Sequence, residues 1–364
     1  MERVTVAVAP PYDVIVGDGV LAEIGAVLGG RRRVAVVSQA GIADFHAPAL
    51  TSALHAAGAA TDVFLIGDGE EAKTLATVET LCSQLASWGL LRGDAIVALG
   101  GGVVGDTAGL AAAVYHRGIA VVQAPTTLLA MVDAAIGGKT AVNLREGKNL
   151  VGAFHQPVAV LADVATLDTL PPREYRSGLG EVAKYALMPD GGRVDAVVAS
   201  SAAAVVARDP SVLAHLVREC AAIKARVVAL DPEERSGVRA TLNYGHTLAH
   251  ALETAGGYEL LHGEAVAVGL VFAGALAGAL ERVDAAAVDR HRTVVESLGL
   301  APGVVGEHDA AALLDVMRRD KKSVGGLTFV LSRTDRDGHT TLETVHDPDP
   351  RALDAAFAAV GVRS

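Results

Sequence analysis

The chain has 364 residues, 51% hydrophobic and 20% charged, which suits two folded domains and excludes a largely disordered protein. Thirty-one basic residues against 42 acidic ones give a formal net charge of −11, which argues against non-specific binding to nucleic acid or to an anionic membrane. Aromatics make up only 4%, so the core is built from Ala, Val and Leu, and the 40 glycines call for tight turns and close backbone approaches.

The opening Met1-Glu2-Arg3-Val4 does not read as a basic-then-apolar leader, so no signal peptide is expected. Cys82 and Cys220 are too few for a disulfide framework, so a soluble cytoplasmic protein is expected. Residues 4–8 and 13–16 read as a hairpin turning at Pro10-Pro11. Further strands are expected at 33–37, 62–66, 94–99, 119–123 and 158–161, with helix-period stretches at 21–28 and 75–88. Strands rich in Val and Ala, apolar on both faces, predict a mostly parallel sheet covered by helices. After Leu170-Pro171-Pro172 helical patterns take over, at 200–208, 211–230 and 243–254, and a β-like piece returns at 327–331. The uncharged run 265–280 is shorter than the roughly 20 residues that span a bilayer, so it is expected to be a buried core helix. The chain is therefore divided into an α/β nucleotide-binding domain, 1–168, and a mainly α-helical domain, 169–364, with ligands expected in the cleft between them.

Three clusters carry the chemistry. The strand 94–99 runs into Gly100-Gly101-Gly102-Val103-Val104-Gly105-Asp106, where backbone N–H groups and a helix N-terminus can face a diphosphate. Pro125-Thr126-Thr127 offers hydroxyls to the same cradle. The Asp68–Lys73 stretch offers an acid and a lysine, though by itself it reads as a solvated loop. In the second cluster, Asp133 to Asn143 and Gly147-Lys148-Asn149 set Lys139, Lys148 and two asparagines among glycines, a good anion-binding surface. In the third, Asn243, His246 and His250 share one face of a helix by spacing, with His262 after them and Glu181 upstream. Spacing alone makes His246 and His250 a zinc pair, completed by His262 or a carboxylate.

Together these motifs resemble the 3-dehydroquinate synthases of the sugar phosphate cyclase superfamily, over essentially the whole chain to Asp320-Lys321-Lys322. The resemblance implies NAD+ and one divalent metal, zinc or cobalt, held by Glu181, His246 and His262, with His250 facing substrate instead. It implies a phosphorylated heptulosonate substrate contacted by Asp133, Lys139, Lys148, Asn149, Lys184, Lys224, Arg239, Asn243, His250 and Lys321. Glu70, Lys73, Gly101, Gly102, Asp106, Thr126, Thr127, Lys148 and Thr169 resemble NAD-contacting positions. Arg117 resembles an arginine that reaches the phosphate across a homodimer interface. The implied cycle oxidises C5, eliminates phosphate, reduces C5 again and closes the ring by an intramolecular aldol step. Gly-Lys-Thr-Ala-Val-Asn at 138–143 also resembles aminodehydroquinate synthases of antibiotic pathways, while Lys184, Lys224, Arg239 and His250 favour the ordinary synthase. An NAD- and metal-dependent dehydrogenase of the glycerol type is the alternative outside the superfamily.

Overall fold

The computed structural model describes residues 1–256, 260–320 and 326–363. Two compact units emerge: Met1–Pro171 with Leu213–Glu233, and Pro172–Val212 with Glu234–Ser364.

In the first unit, β1 (Glu2–Val6) and β2 (Tyr12–Gly17) pair antiparallel as the expected hairpin. They are followed by β3 (Arg33–Gln39), β4 (Ala60–Ile66), β5 (Ala95–Gly100), β6 (Ala120–Pro125), β7 (Lys139–Leu144), β8 (Gly147–Phe154) and β9 (Ala159–Asp163). Seven of these form one sheet in the order β1-β2-β9-β6-β5-β3-β4, and every neighbour pair except β1·β2 is parallel. Its helices are α1 (Ile24–Val27), α2 (Ala40–Ala56), α3 (Leu75–Trp88) and α4 (Gly102–Val114). Successive strand residues point to opposite faces, so Val34 and Val36 meet Leu50 and Leu54 of α2 on one side. Ala35 and Val37 meet Leu81 and Leu85 of α3 on the other. Both faces are covered, which is why these strands read as unbroken apolar runs. The run 75–88 becomes a helix because both ends are finished: Thr74 Oγ1 accepts from Thr77 N–H at 3.1 Å, and Gly89 takes φ 77° at the C-terminus. Arg33 Nη1 then donates to the carbonyls of Trp88 and Gly89 at 2.7 and 2.5 Å.

The stretch read from sequence as an anion-binding surface is the separate antiparallel pair β7·β8, irregular between Val142 and Leu144. Its strands carry too many glycines and polar residues to alternate visibly.

The second unit is built around helices. In chain order the helices after Pro171 are α5 (Pro172–Leu187), α6 (Gly192–Val206), α7 (Pro210–Leu230), α8 (His246–Ala255), α9 (His262–Ala279), α10 (Ala285–Ser297), α11 (Ala310–Asp320) and α12 (Pro350–Ala359). Of these, α7 groups with the first unit, although it follows residue 168 in sequence. The pair β10 (Thr328–Thr334) and β11 (Thr340–His346) is antiparallel, and β11 was invisible in its polar sequence. The expected core helix is α9. Phe272, near its middle, packs against Phe329 and Phe357 at ring-centroid distances of 5.8 and 5.0 Å.

A buried polar chain ties α10 into this unit. His291 Nδ1 donates to Ala287 O at 2.7 Å, its Nε2 accepts from the Tyr244 hydroxyl, and Ser332 Oγ lies 3.3 Å from that hydroxyl. Burial pushes the His291 imidazole down to about 4 and the Tyr244 phenol up to about 12. A histidine held neutral in the fold stabilises it above the unfolded value and loses that contribution as pH falls through the folded one. Between pH 6.5 and 4 the native state is therefore expected to lose about 3 kcal/mol through His291. Denaturant melts across that range should show a loss smaller by this amount in His291→Gln. An unchanged pH dependence would contradict the assignment.

Candidate active site

In the first unit, β5 delivers the chain to Gly100-Gly101-Gly102, and α4 begins at Gly102. The cluster is not a left-handed turn: Gly101 has φ −76°. The glycines answer to space, since a Cβ at Gly100 would stand 2.5 Å from Val104 Cγ2 and one at Gly101 3.0 Å from Thr127 Cγ2. No side chain caps α4, and its first-turn N–H groups border a small cleft lined by Gly101, Gly102, Asp106 and Pro125. Those groups and the helix dipole suit a diphosphate. Thr126 N–H donates to Gly100 O at 3.1 Å, and Thr127 Oγ1 accepts from Ala130 N–H at 3.2 Å, so both fix the turn beside the glycines.

Lys73 does not stand on a solvated loop. It is 5% exposed, with Nζ 2.5 Å from both Asp106 Oδ2 and Asn149 Oδ1. Burial raises the Asp106 carboxyl against the pull of this lysine. Lys224 of α7, also buried, sets Nζ 2.9 Å from Asp133 Oδ1 and donates to Asp133 O at 2.5 Å. Lys139 and Lys148 are exposed on β7 and β8. Thr169 Oγ1 donates to Thr166 O at 3.0 Å and lies 2.8 Å from Nε2 of His46, a residue the sequence reading passed over. Arg117 is exposed at φ 64°, directly after His116 at φ 50°. Two consecutive left-handed residues other than glycine are costly, and such strain gathers at functional sites. Arg92 Nη2 holds the His116 carbonyl at 2.5 Å, fixing the turn.

In the second unit, α5 carries Glu181 and Lys184, α8 begins at His246 and α9 begins at His262. Closely packed glycines bring these elements together. A Cβ at Gly180 would sit 2.1 Å from Gly263 O, and one at Gly263 1.6 Å from Ser177 O, so α5 meets the start of α9 with no side chain between. Gly245, at φ 79°, packs its carbonyl where a Cβ of Gly269 would lie 2.0 Å away. That left-handed residue breaks the helix expected at 243–254. Asn243 ends the 3-10 segment Val238–Asn243 and does not share a helix face with His246 and His250.

The result is a cluster of three donors. His246 Nε2 and His262 Nε2 lie 3.4 and 3.2 Å from Glu181 Oε1, and one ligand atom from each residue falls within 4.8 Å of the others. Each imidazole has its other nitrogen engaged: His246 Nδ1 is 3.0 Å from Tyr244 O, and His262 Nδ1 is 3.5 Å from Glu253 Oε2. Once a cation displaces the Nε2 protons that otherwise bond Glu181, Nδ1–H donation outward leaves both Nε2 lone pairs to face the ion. A carboxylate and two imidazoles suit zinc or cobalt and leave coordination positions open for substrate. The spacing-based pair His246 and His250 is not what converges with Glu181. The exposed His250 ring has its centroid 5.6 Å from that of His246, and His250 falls in a second group with Glu253 and His262.

Burial would raise the Glu181 carboxyl, but the paired Lys184 ammonium and hydrogen bonds from both histidines hold it well below the ordinary carboxylate range. Burial would lower His262, yet Glu181 and Glu253 push it up to about 10. Arg239 is buried in the 3-10 segment, and Lys321 lies outside the described residues. Sequence reasoning missed Glu253, although its place three residues after His250 and seven after His246 puts all three on one helix face.

Two family profiles, described as 3-dehydroquinate synthase N-terminal and 3-dehydroquinate synthase C-terminal, match residues 63–177 and 178–323. A protein of Amycolatopsis mediterranei (strain S699), provisionally named an aminodehydroquinate synthase, is 49% identical over 327 residues, 88% of this chain and 85% of its own length. A 3-dehydroquinate synthase of Mycolicibacterium gilvum (strain PYR-GCK) is 46% identical over 365 residues, 99% of each chain. Among solved structures, 2-deoxy-scyllo-inosose synthase complexed with carbaglucose-6-phosphate, NAD+ and Co2+ superposes with a TM-score of 0.85 at 27% identity, covering 98% of this chain and 99% of the other.

Proposed function

The chain belongs to the 3-dehydroquinate synthase family, and from that premise we propose that it is a phosphate-eliminating lyase of the shikimate pathway, converting 3-deoxy-D-arabino-heptulosonate 7-phosphate to 3-dehydroquinate and phosphate. The observation that carries the reading is the convergence of Glu181, His246 and His262, the three residues the resemblance singled out as metal ligands. When bound, NAD+ accepts and returns a hydride and the divalent ion acts as a Lewis acid on substrate hydroxyls. Residues 1–168 are the NAD-binding part, through the uncapped start of α4 with Glu70, Lys73, Asp106, Thr126, Thr127 and Lys148, and Thr169 joins them from just past that boundary. Residues 169–364 hold the metal and much of the substrate, while Lys224 of α7 belongs by its packing with the first unit.

The substrate is a dianionic phosphate and a carboxylate, so a chain of net charge −11 must concentrate cations locally. Lys139, Lys148, Lys184, Lys224, Arg239 and Lys321 do this, and Asn149, Asn243 and His250 add hydrogen-bonding groups. Cys82 and Cys220 are both unbridged, as suits a cytoplasmic enzyme. The test is to assay the purified protein for phosphate release with the heptulosonate phosphate and with its amino analogue. Turnover of the first supports the synthase. A preference for the second supports an aminodehydroquinate synthase, the alternative that the Amycolatopsis relative favours.

The active unit is a homodimer in which Arg117 binds the phosphate of the neighbouring subunit's substrate. The strained turn at His116 and Arg117 is the local support for a functional arginine here. Removing the guanidinium from a desolvated phosphate site costs about 2–5 kcal/mol, so Arg117→Ala should lower kcat/KM roughly thirty-fold or more. Mixing Arg117→Ala subunits with Lys184→Ala subunits should recover part of the activity, because one site in each heterodimer is then intact. No recovery after confirmed subunit exchange would put Arg117 outside the neighbour's site.

A further inference from the structure

The glycine-rich second cluster contains a residue, Asn143, whose side-chain amide and backbone N–H bond back into the protein. Asn143 sits where β7 and β8 lose register, and a bulge there re-aims its side chain. Its backbone N–H donates to Lys73 O at 2.9 Å, its Nδ2 donates to Glu70 Oε1 at 2.7 Å, and its Oδ1 accepts from Asn149 N–H at 2.9 Å. Asn149 in turn accepts from Lys73 Nζ at 2.5 Å through its Oδ1, so Lys73, Asn143 and Asn149 close a ring of three hydrogen bonds. Glu70 hangs from that ring, its Oε1 4.0 Å from Lys73 Nζ. Asn149 is left-handed, at φ 58°, a conformation that asparagine adopts more readily than most residues.

We propose that Asn143 is a positioning residue for the NAD+ site, fixing the Glu70 carboxylate with its amide nitrogen and the backbone of Asn149 with its amide oxygen. The inference rests on the reading of the first unit as the NAD-binding part. Asn143 was grouped by sequence with the anion-binding residues, but its side chain acts through Glu70 and Asn149. A carboxamide offers the donor and the acceptor on two separate atoms, one for each partner. An aspartate keeps the acceptor for Asn149 N–H and sets a like charge against Glu70, whereas an alanine keeps neither.

Calorimetric titration of NAD+ into wild-type, Asn143→Asp and Asn143→Ala protein tests this. NAD+ binding is expected to be about ten-fold or more weaker in both variants, because Asn143→Ala loses both side-chain bonds and Asn143→Asp sets a charge against Glu70. A merely structural role would instead lower the melting temperature of the NAD-free protein and leave the affinity of the folded fraction unchanged. The near-isosteric Asn143→Asp carries the test if the alanine variant does not fold. Wild-type binding with both variants within two-fold of it would overturn the inference and leave the parent reading standing. A wild-type protein that binds no NAD+ would overturn both.

Discussion

His246→Ala is expected to remove the divalent ion and the activity together, while His250→Ala keeps the ion and loses turnover. The two imidazoles stand one helical turn apart on α8, so sequence spacing cannot tell them apart. Geometry can. His246 is buried, its Nε2 lies 3.4 Å from Glu181 Oε1, and its Nδ1 is engaged by the Tyr244 carbonyl. His250 is exposed and stands outside the group formed by Glu181, His246 and His262. Removing one of three ligands should weaken metal binding by more than about 100-fold, the upper end of what removing a mere supporting group costs. Losing a proton-transfer or hydrogen-bonding histidine at the substrate should lower kcat by about 100-fold or more with metal content intact. Metal analysis after dialysis decides between them. A His250→Ala protein without metal would restore the spacing-based pair, and a His246→Ala protein with stoichiometric metal would contradict both ligand assignments.

Gly263→Ala should be the most damaging single methyl in the second unit. The added carbon would lie 1.6 Å from the backbone oxygen of Ser177, which cannot swing aside as a side chain can. Gly180 faces the same close approach from α5, so the two helices must separate, and His262 is displaced from Glu181. Overpacking of this kind costs about 3 kcal/mol or more. Melting temperature and metal affinity should therefore fall together. Gly192→Ala is the control, since a Cβ there meets nothing within 4 Å, and it should leave stability within about 0.5 kcal/mol of wild type. A Gly263→Ala protein with native metal affinity would mean that the close approach does not set the ligand geometry.

Most of the sheet was legible because β3, β5, β6 and β9 are buried on both faces and so are built mainly of Val, Ala and other apolar residues. The pair β7·β8 was not, because most of β8 is exposed and Gly, Lys and Asn make up half of its eight residues. The start of α8 differs from its sequence-based position for a tertiary reason: the periodicity continues back through Gly245, and only the packing of that residue against α9 forces the break. The histidines stand out in the sequence as a cluster, but spacing pairs two that do not converge together on Glu181. Glu181 and His262 are 81 residues apart and meet only through the glycine packing of α5 against α9. The ring that fixes Lys73 was equally hidden, since it joins residues 73, 143 and 149 from three elements or turns.

One chemical claim is central to the synthase reading: the hydride removed from substrate is returned within the same turnover. The direct measurement follows phosphate release and absorbance at the NADH band in one cuvette, with the heptulosonate phosphate, NAD+ and Zn2+ or Co2+. Phosphate should accumulate to the amount of substrate supplied, with no net rise in NADH. NADH accumulating in proportion to turnover would contradict the synthase reading and make the protein a dehydrogenase.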